Sequence, residues 1–155
     1  MPANSYLPIY LRDHHAAAQA GMALARRASA NAENDQLQTL VKRIESDALT
    51  LESVMRALDV APSRIKDSLA LAGERLGRLK PNGHLRGPSP LARVLELELL
   101  VTGIAGKAAL WRSLAAASDP RLDSFDFDAL ARSAEEQRAQ AEARRLEAAA
   151  RAFRA

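Results

Sequence analysis

The sequence predicts an all-α fold, an up-down four-helix bundle with an additional short helix between long helices two and three. Three observations carry that reading. Long segments repeat apolar residues at intervals of three and four, the spacing of one helix face. No stretch alternates apolar with polar residues or collects β-branched residues, so nothing reads as a strand. Alanine supplies much of the 48% hydrophobic content, which favours helix and allows helices to approach closely. At 155 residues the chain suits a single domain, 1–155, with no linker-like composition dividing it.

The first helix is expected from about residue 5 to residue 31, capped by Ser5, with Pro8 in the first turn where a missing N–H matters least. Ile9, Leu11, Ala17, Ala18, Gly21, Leu24, Ala25 and Ala28 fit its period, and "NAEND" breaks it. The second helix, about 35–58, has the cleanest stripe: Leu37, Leu40, Val41, Ile44, Ala48, Leu51, Met55 and Leu58. Lys42, Arg43, Glu45, Ser46 and Ser53 occupy the opposite face, so one side is buried. "DVAPS" ends it, because Pro62 disfavours helical geometry in the residue before it. A shorter helix at about 63–79 spaces Ile65, Leu69, Ala72, Leu76 and Leu79, and "LKPNGHLRGPSP" then reads as a surface turn.

Ser89 and Pro90 form a helix start: the serine accepts from a first-turn amide and the proline is preorganised at the first helical position. The helix that follows, about 90–117, carries Leu91, Val94, Leu95, Val101, Ile104, Ala108, Trp111 and Leu114. Gly103 and Gly106 weaken it by about 1 kcal/mol each, and the pair is expected to face another helix at close range. After "SDPRLDSFD" the last helix, about 124–153, is dense in Ala, Glu and Arg, with Glu147 four residues before Arg151. Its Leu146 and Phe153 share a side that extends past the core toward a second subunit.

Composition removes several function classes. The absence of cysteine excludes disulfides, thiolate ligands and cysteine nucleophiles together. The start, "MPANSYLPIYLRD", has no basic region leading into an apolar core, and no run approaches the roughly 20 apolar residues of a bilayer span. Cytoplasm, with no membrane partner, is therefore the default expectation. There is no Gly-x-Gly-x-x-Gly or Walker motif and no serine elbow, and Glu96 and Glu98, two apart on a helix, diverge rather than pair.

Charge is mildly basic, 22 Lys and Arg against 19 Asp and Glu, but unevenly placed. Between residues 64 and 93 seven basic residues face only Asp67 and Glu74. Arg75, Arg78, Lys80, Arg86 and Arg93 are accordingly the candidates for binding an anion or nucleic acid. Stacking aromatics are missing there, which favours a solvated face over a nucleic-acid site.

In a bundle, a carboxylate on an apolar stripe is the informative exception, because an ionised one must be paired or bound. Asp47 lies beside Leu40, Ile44 and Leu51, and Glu98 beside Val94 and Val101. Asp13 and His14 mark a polar level on the first helix, and Gln137 sits among Leu130, Ala134 and Ala141 on the last. One polar residue from each long helix is thus expected at a common level.

The helix order, with stretches such as "VKRIESDALTLESVM" and "LELELLVTGIAGKAALW", resembles the ferritin-like superfamily, which includes ferritins and rubrerythrin-type proteins. The resemblance implies a ferritin-like bundle, a dimer or larger assembly and, in metal-loaded members, oxygen or peroxide chemistry at two irons. Such a site takes a Glu from each of two helices and a Glu-x-x-His from each of the other two. Here Glu45 is followed three positions later by Ala48, Glu52 by Met55, Glu135 by Arg138 and Glu142 by Arg145, so neither helix supplies an imidazole. All three histidines, His14, His15 and His84, lie elsewhere. The expectation is a divergent, non-catalytic member without a cofactor, acting through self-association, a dimer favoured, or through a protein partner. The alternative is a weak site for iron or another divalent metal at Asp13, His14, Asp47 and Glu98.

Overall fold

The computed structural model describes residues 6–30, 35–62 and 89–154. The short helix expected at 63–79 and most of the turn after it lie outside the described residues, as does Ser5. Four long helices make up the rest: α1 (Tyr6–Ala30), α2 (Asp35–Ala57), α3 (Pro90–Ala117) and α4 (Phe127–Ala152), with a 3₁₀ turn at Pro120–Leu122. The fold is an all-α four-helix bundle, and the described residues contain no strand.

Local chemistry accounts for the ends. Ser89 Oγ accepts from Ala92 N at 3.0 Å ahead of Pro90, as the sequence predicts. The last helix starts later than expected, because Pro120–Leu122 forms its own turn and Asp126 Oδ1 accepts from Ala129 N at 2.8 Å. At the end of α2, Asp59 is left-handed (φ 56°), the Asp59 N–H donates to Arg56 O at 3.2 Å and the Val60 N–H to Met55 O at 2.8 Å. This paired closure, with Val60 and Met55 both buried, stops the helix before Pro62 can. Asp59→Gly is expected to raise stability by about 0.5–1 kcal/mol, since glycine adopts this conformation without the Cβ penalty; urea unfolding followed by circular dichroism measures it.

Cross-helix pairs give the directions. Arg26 meets Glu45 at 2.7 Å and Arg12 donates to Ala61 O at 3.0 Å, so α1 and α2 run antiparallel. Tyr10 Oη donates to Ser113 Oγ at 3.1 Å and Arg93 to Ala28 O at 2.8 Å, so α3 opposes α1 as well. Arg112 meets Glu135 at 2.8 Å while Lys107 donates to Gln137 at 2.6 Å, which sets α4 against α3. Backbones approach in the pairs α1–α2, α1–α3, α3–α4 and, more loosely, α2–α4. Helices α2 and α3 are therefore diagonal and parallel, and the end of α2 and the start of α3 lie at opposite ends of the bundle. The core joins Leu11, Leu40, Leu51, Val54, Leu97, Trp111 and Leu114 with a thinner alanine contribution from Ala134 and Ala141 of α4. Leu11, Leu40, Leu51, Trp111 and Leu114 fall on the stripes that the apolar spacing predicts, whereas Leu97 lies off the stripe expected for α3, and Ile9 and Leu91, both expected inward, are exposed because each sits near the start of its helix where fewer neighbours cover it.

Gly103 and Gly106 do not face a neighbouring backbone. Among the described residues a Cβ built at either position has no atom of another element within 4 Å, so these glycines stand beside open space, contrary to the expectation of a close helix crossing.

Candidate functional site

At the middle of the bundle α2, α3 and α4 each place one polar side chain on an inward stripe. Asp47 falls between Ile44 and Leu51, Lys107 between Ile104 and Trp111, and Gln137 between Ala134 and Ala141, all at intervals of three and four. Asp47 is 7% exposed and Gln137 0%. The Lys107 ammonium donates to Asp47 Oδ2 and, at 2.6 Å, to Gln137 Oε1. Gln137 Nε2 donates in turn to Asp47 Oδ2 at 2.9 Å and to Ser133 Oγ at 3.3 Å. Arg43 closes the outer side, donating to Ser133 Oγ at 3.0 Å and Glu136 Oε2 at 2.9 Å. The result is a triangle of one cation, one anion and one amide in which the buried carboxylate is compensated.

Burial draws the Lys107 ammonium below the usual lysine range; the charge and hydrogen bond of Asp47 oppose that shift, and nearby Arg43 adds to it. Sequence reasoning finds Asp47 and Gln137 but misses Lys107. The signal was present: a lysine three residues after Ile104 and four before Trp111 sits on the apolar stripe, where a cation needs a partner as much as a carboxylate does.

The other candidates divide. His14 reaches the same region from α1, half-buried and edge-on to Tyr10 with ring centroids 4.5 Å apart. Burial lowers its pKa from the ordinary histidine value, with Asp13 pulling the other way. Asp13 itself is exposed, and so is Glu98. The carboxylate that α3 buries is Glu96, paired with Arg27 at 3.2 Å and Arg93 at 2.9 Å. Two residues, about 200° of helical phase, separate these outcomes: Glu96 shares the face of Arg93 and Leu100, whereas Glu98 turns outward. Asp13, His14, Asp47 and Glu98 thus do not converge, and no group of three or more metal-ligating side chains occurs among the described residues.

His15 is buried, with its Nε2 3.5 Å from Glu52 and 3.4 Å from Gln19. Arg138 and Arg145 do not fill a central position either, since each pairs along the helix surface with Glu135 (2.7 Å) and Glu142 (2.6 Å). These arginines hold both carboxyls below the usual glutamate range through direct hydrogen bonds. Of the anion-binding candidates, Arg75, Arg78, Lys80 and Arg86 lie outside the described residues, and Arg93 is committed to Glu96 and Ala28 O.

Beside the triangle a crevice of about 70 Å³ opens between α1 and α3 and reaches α2. Its walls are mainly apolar, and His14, Asp47 and Lys107 supply its polar groups. Trp111, also in its wall, carries the one buried side-chain nitrogen or oxygen with no hydrogen-bond partner among the described residues, Nε1.

The chain matches no family model, no curated protein and no solved structure. Fold and function therefore rest on its own residues.

His14 gives this region a pH dependence. Its folded pKa is depressed, so as pH falls through about 6.5 the unfolded chain takes up a proton that the folded chain does not, and stability drops until the folded value is passed. The urea midpoint is expected to be lower at pH 5 than at pH 7, and His14→Gln should reduce that difference.

Proposed function

We propose that this protein is a divergent, non-catalytic bundle of the ferritin-like kind. In this reading a fixed lysine ammonium holds the central level that a metal cation occupies in metal-loaded bundles. The supporting observation is the Lys107–Asp47–Gln137 triangle: the cation that a buried carboxylate requires is covalently part of the chain. Helix directions agree with this reading, since ferritin-like bundles join two antiparallel hairpins by one long crossover, and here α2 and α3 are parallel. No metal-ligating cluster among the described residues competes with it. No helix of the described residues is long and apolar enough to cross a membrane, and a cytoplasmic location belongs to the proposal.

The working action is association, with a second copy as the favoured partner. Beyond Ala141 no residue of α4 is buried, and Leu146 (54% exposed) and Phe153 (68% exposed) stand on its outer part seven residues apart. Two measurements test the proposal together. After anaerobic ferrous loading and desalting, metal analysis is expected to find no stoichiometric iron; a firmly retained pair of irons per chain overturns the non-catalytic reading. Light scattering at micromolar concentration is expected to give the mass of two chains, and a strict monomer removes self-association.

A further inference from the structure

The seam between α1 and α3 is fastened at both ends and open between them. At one end Tyr10 Oη donates to Ser113 Oγ at 3.1 Å. At the other, Arg27 meets Glu96 at 3.2 Å and Arg93 donates to Ala28 O at 2.8 Å. Along the roughly 25 Å of helix between Tyr10 and Arg27, α1 offers Ala17, Ala18 and Gly21 to the crevice, and α3 offers Gly103. Among the described residues a Cβ at Gly21 or Gly103 would meet no atom of another element within 4 Å. These two glycines weaken their helices and, among the described residues, bring no close approach in return. What they leave is an open cleft at the bundle surface, with Gly21 half-buried and Gly103 exposed at its mouth.

The polar end of that space is incompletely bonded. Lys107 has three donors and, among the described residues, two acceptors. Both hydrogen bonds to Asp47 arrive at Oδ2, so Oδ1 has no partner among the described residues. Charge is balanced there: the ammonium and the carboxylate compensate each other, and burial favours the neutral form of His14. A charged guest would lose water without gaining a counter-charge, whereas a neutral one loses little. As to size, an engineered apolar cavity of about 150 Å³ holds benzene. A crevice of about half that volume, open at one side, suits the buried part of a short flexible molecule.

We propose that the α1–α3 crevice binds a small neutral apolar molecule bearing one hydroxyl, which donates to Asp47 Oδ1 and accepts the third Lys107 N–H while its hydrocarbon lies against Ile104 and Trp111. The site is independent of the association proposed above.

Trp111 is the only tryptophan of the chain and stands in the wall, so its emission reports occupancy directly. The experiment titrates the full-length protein with 1-hexanol, hexanoate and hexylammonium at pH 7. A saturable change with 1-hexanol is expected, with the two ions weaker by about tenfold or more. Gly103→Leu fills the mouth and should abolish the change. Its thermal midpoint should be no lower than that of the parent, because glycine leaves a helix. Gly106→Ala, with the same open surroundings but outside the crevice, should keep parental affinity. Absence of a saturable response, ions binding as well as the alcohol, or parental affinity in Gly103→Leu would each overturn the proposal.

Discussion

Lys107→Met is expected to cost about 3–5 kcal/mol, because it removes the cation from a carboxylate that stays buried. Asp47 would keep the Gln137 amide at 2.9 Å, but one neutral donor does not replace an ammonium. The loss belongs to the orphaned charge rather than to the worth of the pair. Replacing all three groups with apolar residues, Asp47→Leu, Lys107→Met and Gln137→Leu together, should therefore recover most of it and end near or above parental stability. Equilibrium urea unfolding of the single and triple variants decides the matter. If Lys107→Met lost less than about 1 kcal/mol, the pair would be behaving as a solvated surface bridge and the central cation would not be structural.

Trp111→Ala is expected to cost about 3–5 kcal/mol, the range for truncating a fully buried large aromatic. The indole stacks on Phe127 at 6.1 Å between centroids and fills the space between α3 and the start of α4. Trp111→Phe should be far milder, within about 1 kcal/mol of the parent. It gives up packing volume but also removes a buried N–H that has no acceptor, an arrangement costing about 1–3 kcal/mol. The two unfolding curves separate packing from the orphaned donor. A phenylalanine variant as unstable as the alanine one would show that the position needs the whole indole and that its N–H carries no penalty.

Much of this architecture was legible from residue spacing. The bounds of α1, α2 and α3 fall within a residue or so of the apolar periodicity, because a helix face is written in the order of its residues and its ends in short capping patterns such as Ser89–Pro90. The meeting of Asp47 with Gln137 was legible for the same reason, each being polar on an apolar stripe. The errors came where neighbouring phases differ by a fraction of a turn. Glu98 was expected inward, yet Glu96 is the buried member of that pair and Arg27 and Arg93 compensate it. Gly103 and Gly106 were expected at a crossing and stand instead beside open space. Asp59 ended α2 through a left-handed residue that no periodicity announces.

Helix number, helix limits and the inward stripes are local properties, dictated by period and capping within each segment of the chain. Partnership is not local. That Lys107 lies between Asp47 and Gln137, that Asp13 and Glu98 point away from them, and that α1 and α3 touch at their ends but part in the middle all depend on how four helices rotate and cross. A rotation of a few tens of degrees about a helix axis leaves every spacing in the sequence unchanged and yet replaces one buried side chain with the next. Only the packed arrangement makes that choice.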